Sequence, residues 1–359
     1  IKPHVLEWEK EGHYPQEIIE QGIEMGLHML QVPEEYGGMG LDTTTAAMMI
    51  EEGAKVESTF MGMFNVTSMG GKIVMAAGNE EQKQYYSGLL QKGYLSSFCL
   101  TEPDAGSDSA AVRTTAVRKG DSYVINGTKM FITNASLASV FLVVATLDPS
   151  KGSKGLATFI VEKDRPGVTV GKKIEKIGMR LSNTAEVIFD NVEIPAFNLI
   201  GTEEGGFANA MKVLTASRPI IAASSLGACQ LARDLAIQYS KERIAFGKPI
   251  CAKQMIQEKL ALMAIKIDNM RNMVLKVAWQ ADQHQSLRTS AALAKLYCAR
   301  TAMEVIDDAI QIMGGLGYTD EARVSRFWRD VRCERIGGGT DEIMIYVAGR
   351  QILKDYQNK

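Results

Sequence analysis

The sequence has little of what builds metal centres, disulfide frameworks or membrane anchors. Its five cysteines (Cys99, Cys229, Cys251, Cys298, Cys333) are scattered, odd in number and without a Cys-x-x-Cys pair. That excludes a disulfide-stapled scaffold and reads as reduced thiols in a cytosol-like compartment, the cytoplasm or, for a eukaryotic chain stripped of a transit peptide, the mitochondrial matrix. The four histidines (His4, His13, His28, His284) lack ligand spacing, so no metal site is expected. Charge of neither sign dominates. The formal net charge is −2, with Lys and Arg spread along the chain, which argues against a nucleic-acid-binding stripe or a charged tail. Long hydrophobic runs are also missing. The longest, Val140 to Leu147, is far too short to cross a bilayer, so no membrane insertion is expected.

What is present is the composition of a globular protein, 46% apolar and 23% charged. A length of 359 residues suggests two or three domains. Nineteen methionines suit an adaptable core. Residues 1–95 read as a helical domain. Ile18, Ile19, Ile23 and Leu27 recur near helical spacing, and Val32 to Leu41 breaks the pattern with the loop glycines Gly37, Gly38 and Gly40. Further helices are expected over Thr43 to Glu52, Phe60 to Ala77, and Glu80 to about Leu90. Residues 96–205 read as a β domain, a barrel or sandwich. Phe141 to Ala145, Ala157 to Glu162 and Glu186 to Phe189 are strand-like, and Asn126-Gly127 within Tyr123 to Lys129 predicts a hairpin with a type I′ turn. Residues 206–359 return to helix. Pro219 should kink a long segment from Phe207 to about Tyr239. Ile256, Leu260, Met263, Ile267, Met270, Val274 and Val277 form one seam, and Leu296, Ala299, Met303, Ile306, Ile310 and Met313 another, as in a four-helix bundle. The fold class is therefore α+β in three parts.

One stretch carries the chemistry. Phe98, Cys99 and Leu100 look like the end of a buried strand that delivers the polar loop Thr101-Glu-Pro-Asp-Ala-Gly-Ser-Asp108. Pro103, Asp104, Gly106 and Ser107 keep that loop irregular and leave N–H and hydroxyl groups free for an anionic or carbonyl-rich ligand. The plain alternative is an ordinary turn. The segment Cys99 to Ala111 resembles the first signature of the acyl-CoA dehydrogenase flavoprotein family. More than 200 residues on, Gln311-Ile-Met-Gly-Gly-Leu-Gly-Tyr-Thr-Asp-Glu321, with Arg326 and Asp330, is similar to the second. Phe131-Ile-Thr-Asn134, Glu242 to Lys248 and Ile336-Gly-Gly-Gly-Thr340 match in the same order.

The resemblance implies FAD, an acyl-CoA substrate, an electron-transferring flavoprotein as partner and a homotetramer. It sets Phe98, Leu100, Thr101, Phe131, Ile132 and Thr133 against the flavin ring, with Thr340 and Glu342 beside it. Arg243, Phe246, Gln254, Gln311, Gly314 and Gly315 would hold the FAD pyrophosphate and adenosine, some of them across a subunit boundary. Ser107, Thr215, Arg218 and Gly339 would meet the substrate, and the Gly338 N–H would polarise its thioester carbonyl. Taken singly these are solvated charges, core aromatics and a helix cap; their joint spacing carries the assignment. One departure stands out. The family places a catalytic glutamate at either of two positions, and here those positions hold Gly338 and Ser217. Four readings follow, and the residues leave them open: another carboxylate such as Asp341 or Glu342 reaches in; the reaction is enoyl-CoA reduction, with water or Ser217 giving the α-proton; the chain is a base-independent lyase of desulfinase or decarboxylase type; or it binds flavin and acyl-CoA without turnover. Lys72 is either a surface lysine or a partner for an anionic acyl tail.

Overall fold

The computed structural model describes residues 1–203 and 205–357. The N-terminal helices are α1 (Val5–Glu11), α2 (Gln16–Glu24), α3 (Thr43–Ala77) and α4 (Glu80–Gln91). Helix α3 starts on the Asp42 cap, whose side chain accepts from Thr45 N, and it breaks at Glu57, where φ is −160° and ψ is 97°. The gap expected between two helices is this break. Side chains stay in contact across the kink, since a Cβ on Gly53 would lie 2.5 Å from Met61 Sδ. Asn79 and Gln82 form a capping box at the start of α4.

The β domain holds β1 (Ser96–Cys99), β2 (Thr115–Lys119), β3 (Ser122–Thr133), β4 (Val140–Thr146), β5 (Leu156–Glu162), β6 (Val168–Val170), β7 (Thr184–Pro195) and β8 (Leu199–Ile200). They make one eight-stranded sheet in the order β6-β7-β3-β2-β4-β5-β8, with β1 parallel to β4. Phe141, Phe159, Phe189, Ile125 and Val187 fill its core. The expected hairpin turn at Asn126-Gly127 is not there. Strand β3 runs straight through it, and the chain reverses at Gly120-Asp121, where Lys119 faces Ser122. Gly127 instead sits at a register shift against β7, and a Cβ there would lie 2.4 Å from Thr114 Oγ1. A close approach, not a turn, requires that glycine.

The C-terminal part comprises α5 (Gly206–Glu242), a small hairpin of β9 (Ile244–Ala245) and β10 (Lys248–Pro249), then α6 (Gln254–Asp282), α7 (Arg288–Met313), α8 (Arg323–Arg332) and α9 (Asp341–Gln357). Helix α5 continues through Pro219 as one helix. By length and composition α5 could cross a membrane, yet most of its apolar window is buried inside the protein. From Met263 to Val277 the α6 seam is buried, with Ile256 and Leu260 half-buried at its start. Gly314, with φ of 59°, ends α7.

One ionic cluster joins all three parts. Arg326 on α8, 1% exposed, meets Glu57 through Nη1–Oε2 at 2.5 Å and Nη2–Oε1 at 2.6 Å. Glu9 and Asp330 approach the same guanidinium at 3.3 and 3.5 Å, and Tyr14 donates to Glu57. The N–H of Met179, in the β domain, donates to Asp330 Oδ1.

Candidate active site

Strand β1 ends in the polar loop, and a buried ion pair fixes where the loop goes. Lys129 on β3 is fully buried and donates to Glu102 Oε1 at 2.7 Å and to the Leu100 carbonyl at 3.2 Å. Glu102 also accepts from Arg113 N, Thr114 N and Thr114 Oγ1. Burial works against its charge, but Lys129 and these donors hold the carboxyl below its usual range. Beyond the loop's closure by a Glu102–Ala105 bridge, Ser107 is exposed. Met130 N donates to the Thr101 carbonyl and Ser97 Oγ to the Thr133 carbonyl, so the ends of β1 and β3 lie side by side.

A bulge between Lys129 and Ile132 turns Phe131 outward. Its φ is 58° and it is 60% exposed. A bulky non-glycine residue in that region is strained, and an exposed aromatic held there points to a ligand. Ile132 is buried behind it, and the hydroxyls of Thr101 and Thr133 bond to nothing among the described residues. A flat, largely apolar ring system with polar edges fits this arrangement.

Helix α5 passes from this strand end to the glycine loop. Phe207, Ala210, Met211 and Leu214 pack on Leu100 and Phe98. One turn on, Thr215 donates to the Met211 carbonyl and Ser217 to the Leu214 carbonyl at 2.9 Å each, so both hydroxyls are committed within the helix. Arg218 is 8% exposed and meets no carboxylate within ion-pairing distance among the described residues. Its contacts are long: Nη1 to Thr215 Oγ1 at 3.4 Å and Nε to the Gly338 carbonyl at 3.5 Å. Burial pulls its pKa down to about 10. Gly338 and Gly339 have φ of 66° and 105°. A Cβ on Gly338 would stand 2.7 Å from Ile221 Cδ1, so the loop is shaped around glycine. Thr340 Oγ1 accepts from Ile343 N and caps α9.

The carboxylates considered as replacement bases are accounted for. Asp341 is buried and gripped by Arg300 at 2.9 Å and Arg335 at 2.7 Å. Glu342 is exposed on the first turn of α9. Two groups at this place escaped the sequence reading. Lys295 on α7 is fully buried and donates to the Gly339 carbonyl at 2.6 Å. Burial lowers its pKa to about 8, against the pull of Glu334 and Asp341. Glu334, half-buried four residues before Gly338, has its carboxyl raised to about 7 by burial, with Lys295 opposing. Its place on the helical turn before the loop was the only signal. Lys72 is not a surface lysine: it is half-buried on α3, and burial lowers it to about 8 against Asp282.

Arg243, Phe246, Gln254, Gln311, Gly314 and Gly315 are not brought to this place. They are exposed where α5 ends, α6 begins and α7 ends. Twenty-five residues of α5 separate Arg218 from Arg243, about 37 Å at the helical rise. Phe246 has φ of 54°, is 95% exposed, and lies under Lys253 Nζ at 5.5 Å. It is a second strained aromatic displayed to solvent.

Comparison with known proteins agrees along the whole chain. Three family models match in order: the acyl-CoA dehydrogenase N-terminal domain over residues 1–93, the middle domain over 97–192 and the C-terminal domain over 204–353. A probable acyl-CoA dehydrogenase of Escherichia coli K12, YdiO, is 53% identical over 98% of this chain and 92% of its own length. YngJ of Bacillus subtilis, also a probable acyl-CoA dehydrogenase, is 42% identical over 99% and 94%. The butyryl-CoA dehydrogenase of Megasphaera elsdenii superposes with a TM-score of 0.95 at 37% identity, over 98% of this chain and 94% of that one.

Proposed function

This chain belongs to the acyl-CoA dehydrogenase family, and from that premise we propose that it interconverts an acyl-CoA and its α,β-enoyl-CoA with reduction of the enoyl thioester as the favoured direction. It is an FAD-dependent oxidoreductase of the acyl-CoA dehydrogenase type. Bound FAD supplies the hydride chemistry at the β-carbon. Phe131, Leu100, Thr101 and Thr133 would seat its ring, with Thr340 and Glu342 alongside. Ser107, Thr215, Arg218 and Gly339 would bind the thioester.

The observation that carries the direction is the missing carboxylate at positions 338 and 217. Proton abstraction from the α-carbon needs a base, which is typically worth roughly 10²–10⁴-fold. Neither Gly338 nor Ser217 can act as one, and the Ser217 hydroxyl donates to Leu214. The groups that touch the loop are the cations Arg218 and Lys295. Cations stabilise the enolate-like carbon that hydride addition creates, and solvent then protonates it. The same cations would stabilise the enolate reached by proton removal, so the directions differ in the proton step: solvent can donate to the enolate, whereas positions 338 and 217 hold no carboxylate to take a proton from the saturated thioester.

The exposed set from Arg243 to Gly315 supports a homo-oligomer, a tetramer in our reading, in which it completes the cofactor site of a second copy. An electron-transferring flavoprotein would supply the electrons. The test is anaerobic. Holoprotein with photoreduced flavin should be reoxidised by an enoyl-CoA with formation of the saturated thioester, whereas saturated acyl-CoAs should bleach oxidised flavin far more slowly. Fast bleaching by a saturated acyl-CoA overturns the direction. Release of CO₂ or sulfite from an unbleached enzyme would establish the lyase, and tight binding without any reaction a binding protein.

A further inference from the structure

Lys295 has no role in the reading above beyond its charge. It is fully buried, and its single hydrogen-bond acceptor is the Gly339 carbonyl at 2.6 Å. No carboxylate lies within ion-pairing distance of its ammonium among the described residues. Glu334 and Asp341 act on it only from beyond that distance, burying an ammonium with one carbonyl acceptor is costly, and an apolar side chain would fill the same space without that cost. Arg218, more than nine-tenths buried, faces the preceding carbonyl, that of Gly338. Two cations therefore stand behind two successive peptide groups. The N–H groups of those two peptides, on Gly339 and Thr340, donate to nothing among the described residues, and neither does the Gly338 N–H of the peptide before them.

A peptide carbonyl and the N–H that follows it belong to one polarisable unit. A cation on the Gly338 oxygen strengthens the Gly339 N–H as a donor, and one on the Gly339 oxygen strengthens Thr340 N–H. We propose that Lys295 is a positioning residue which, with Arg218, holds the glycine loop by its Gly338 and Gly339 carbonyls, so that the Gly338 N–H stays aimed at the acyl thioester carbonyl and the polarised Gly339 and Thr340 N–H groups complete the oxyanion site beside it. This rests on the acyl-CoA reading of the site. The glycines belong to the device: the φ values of 66° and 105° that set the two carbonyls on their cations are ones a residue with a side chain rarely adopts.

The test uses FAD-loaded enzyme and crotonyl-CoA as the probe, with the stretching frequency of its thioester carbonyl read by difference Raman spectroscopy. In the wild type the bound carbonyl should shift to lower frequency than in solution. Lys295→Met should lose much of that shift, and its kcat for enoyl reduction should fall roughly 10- to 100-fold with KM little changed, as for loss of part of an oxyanion site. Lys295→Arg should recover part of both. A Lys295→Met protein that keeps its flavin, the full shift and the wild-type kcat overturns the proposal. Should that variant lose flavin, Lys295→Gln and the wild-type spectrum decide, since an unshifted wild-type carbonyl overturns it too. A wild type that fails to bind crotonyl-CoA at all instead removes the acyl-CoA reading beneath it.

Discussion

Ser217→Glu should convert this protein into a working dehydrogenase. Position 217 lies on α5, one residue before Arg218 and one turn beyond the residues that pack on Leu100 and Phe98. It is 3% exposed, so a new carboxyl would be partly desolvated and its pKa raised toward neutrality, where a general base works best. Arg218 supplies a nearby positive charge that limits the cost of burying it. We expect the rate of flavin bleaching by a saturated acyl-CoA to rise by roughly 10²-fold or more, the lower end of what a positioned base contributes. Gly338→Glu should gain less. Its φ of 66° costs a non-glycine residue about 1–2 kcal/mol, and its Cβ would displace Ile221. The assay is anaerobic stopped-flow of the flavin band, with product identified by mass. A Ser217→Glu protein that binds FAD and acyl-CoA yet bleaches no faster than wild type would refute the placement of residue 217 at the α-carbon.

Two further expectations concern buried charge. Arg326→Met leaves Glu57, Glu9 and Asp330 without their shared cation and should lower unfolding free energy by about 3–5 kcal/mol, read from urea midpoints; a change within about 0.5 kcal/mol, the size of an ordinary surface substitution, would contradict the cluster's role. Glu334 titrates near 7 when folded and near 4.5 when unfolded, so its ionisation opposes folding as pH rises above the lower value, fully so above the higher one. Glu334→Gln should therefore raise stability at pH 8 by about 1–2 kcal/mol after solvent screening, and leave it nearly unchanged at pH 4; equal effects at both pH values would argue against a raised carboxyl.

The three-part fold was legible in the sequence because each part has its own hydrophobic period. Methionine-rich helices, an alternating middle and long heptad-like seams each leave a local trace. Asn126-Gly127 misled because its turn signal is local, while the constraint that selects Gly127 comes from Thr114, brought alongside by sheet pairing. The strand-end loop and Phe131 were visible through family spacing. Lys129, Glu102, Lys295 and Glu334 were not singled out, because a charged residue within an amphipathic pattern reads as solvated. Only packing shows that Lys129 is sealed against a carboxylate 27 positions away and Lys295 against a carbonyl 44 positions away. The separation of the Arg243 set from the rest of the site is a matter of helix length, which spacing in sequence conceals.

The Arg326 cluster bears on how such a chain can be divided. Cut after the first helical part, the remainder would expose an arginine shaped for Glu57; cut before the last, the front piece would keep Glu57 with the Tyr14 hydroxyl but no cation. The second cut would also take Asp330, the acceptor of the Met179 amide, away from the β part. Each family segment looks separable on paper, but the fragments inherit one another's unpaid charges. Shuffling domains between relatives should therefore succeed only when Glu57, Met179 and Arg326 travel with compatible partners, so the heritable unit of this fold is the whole chain.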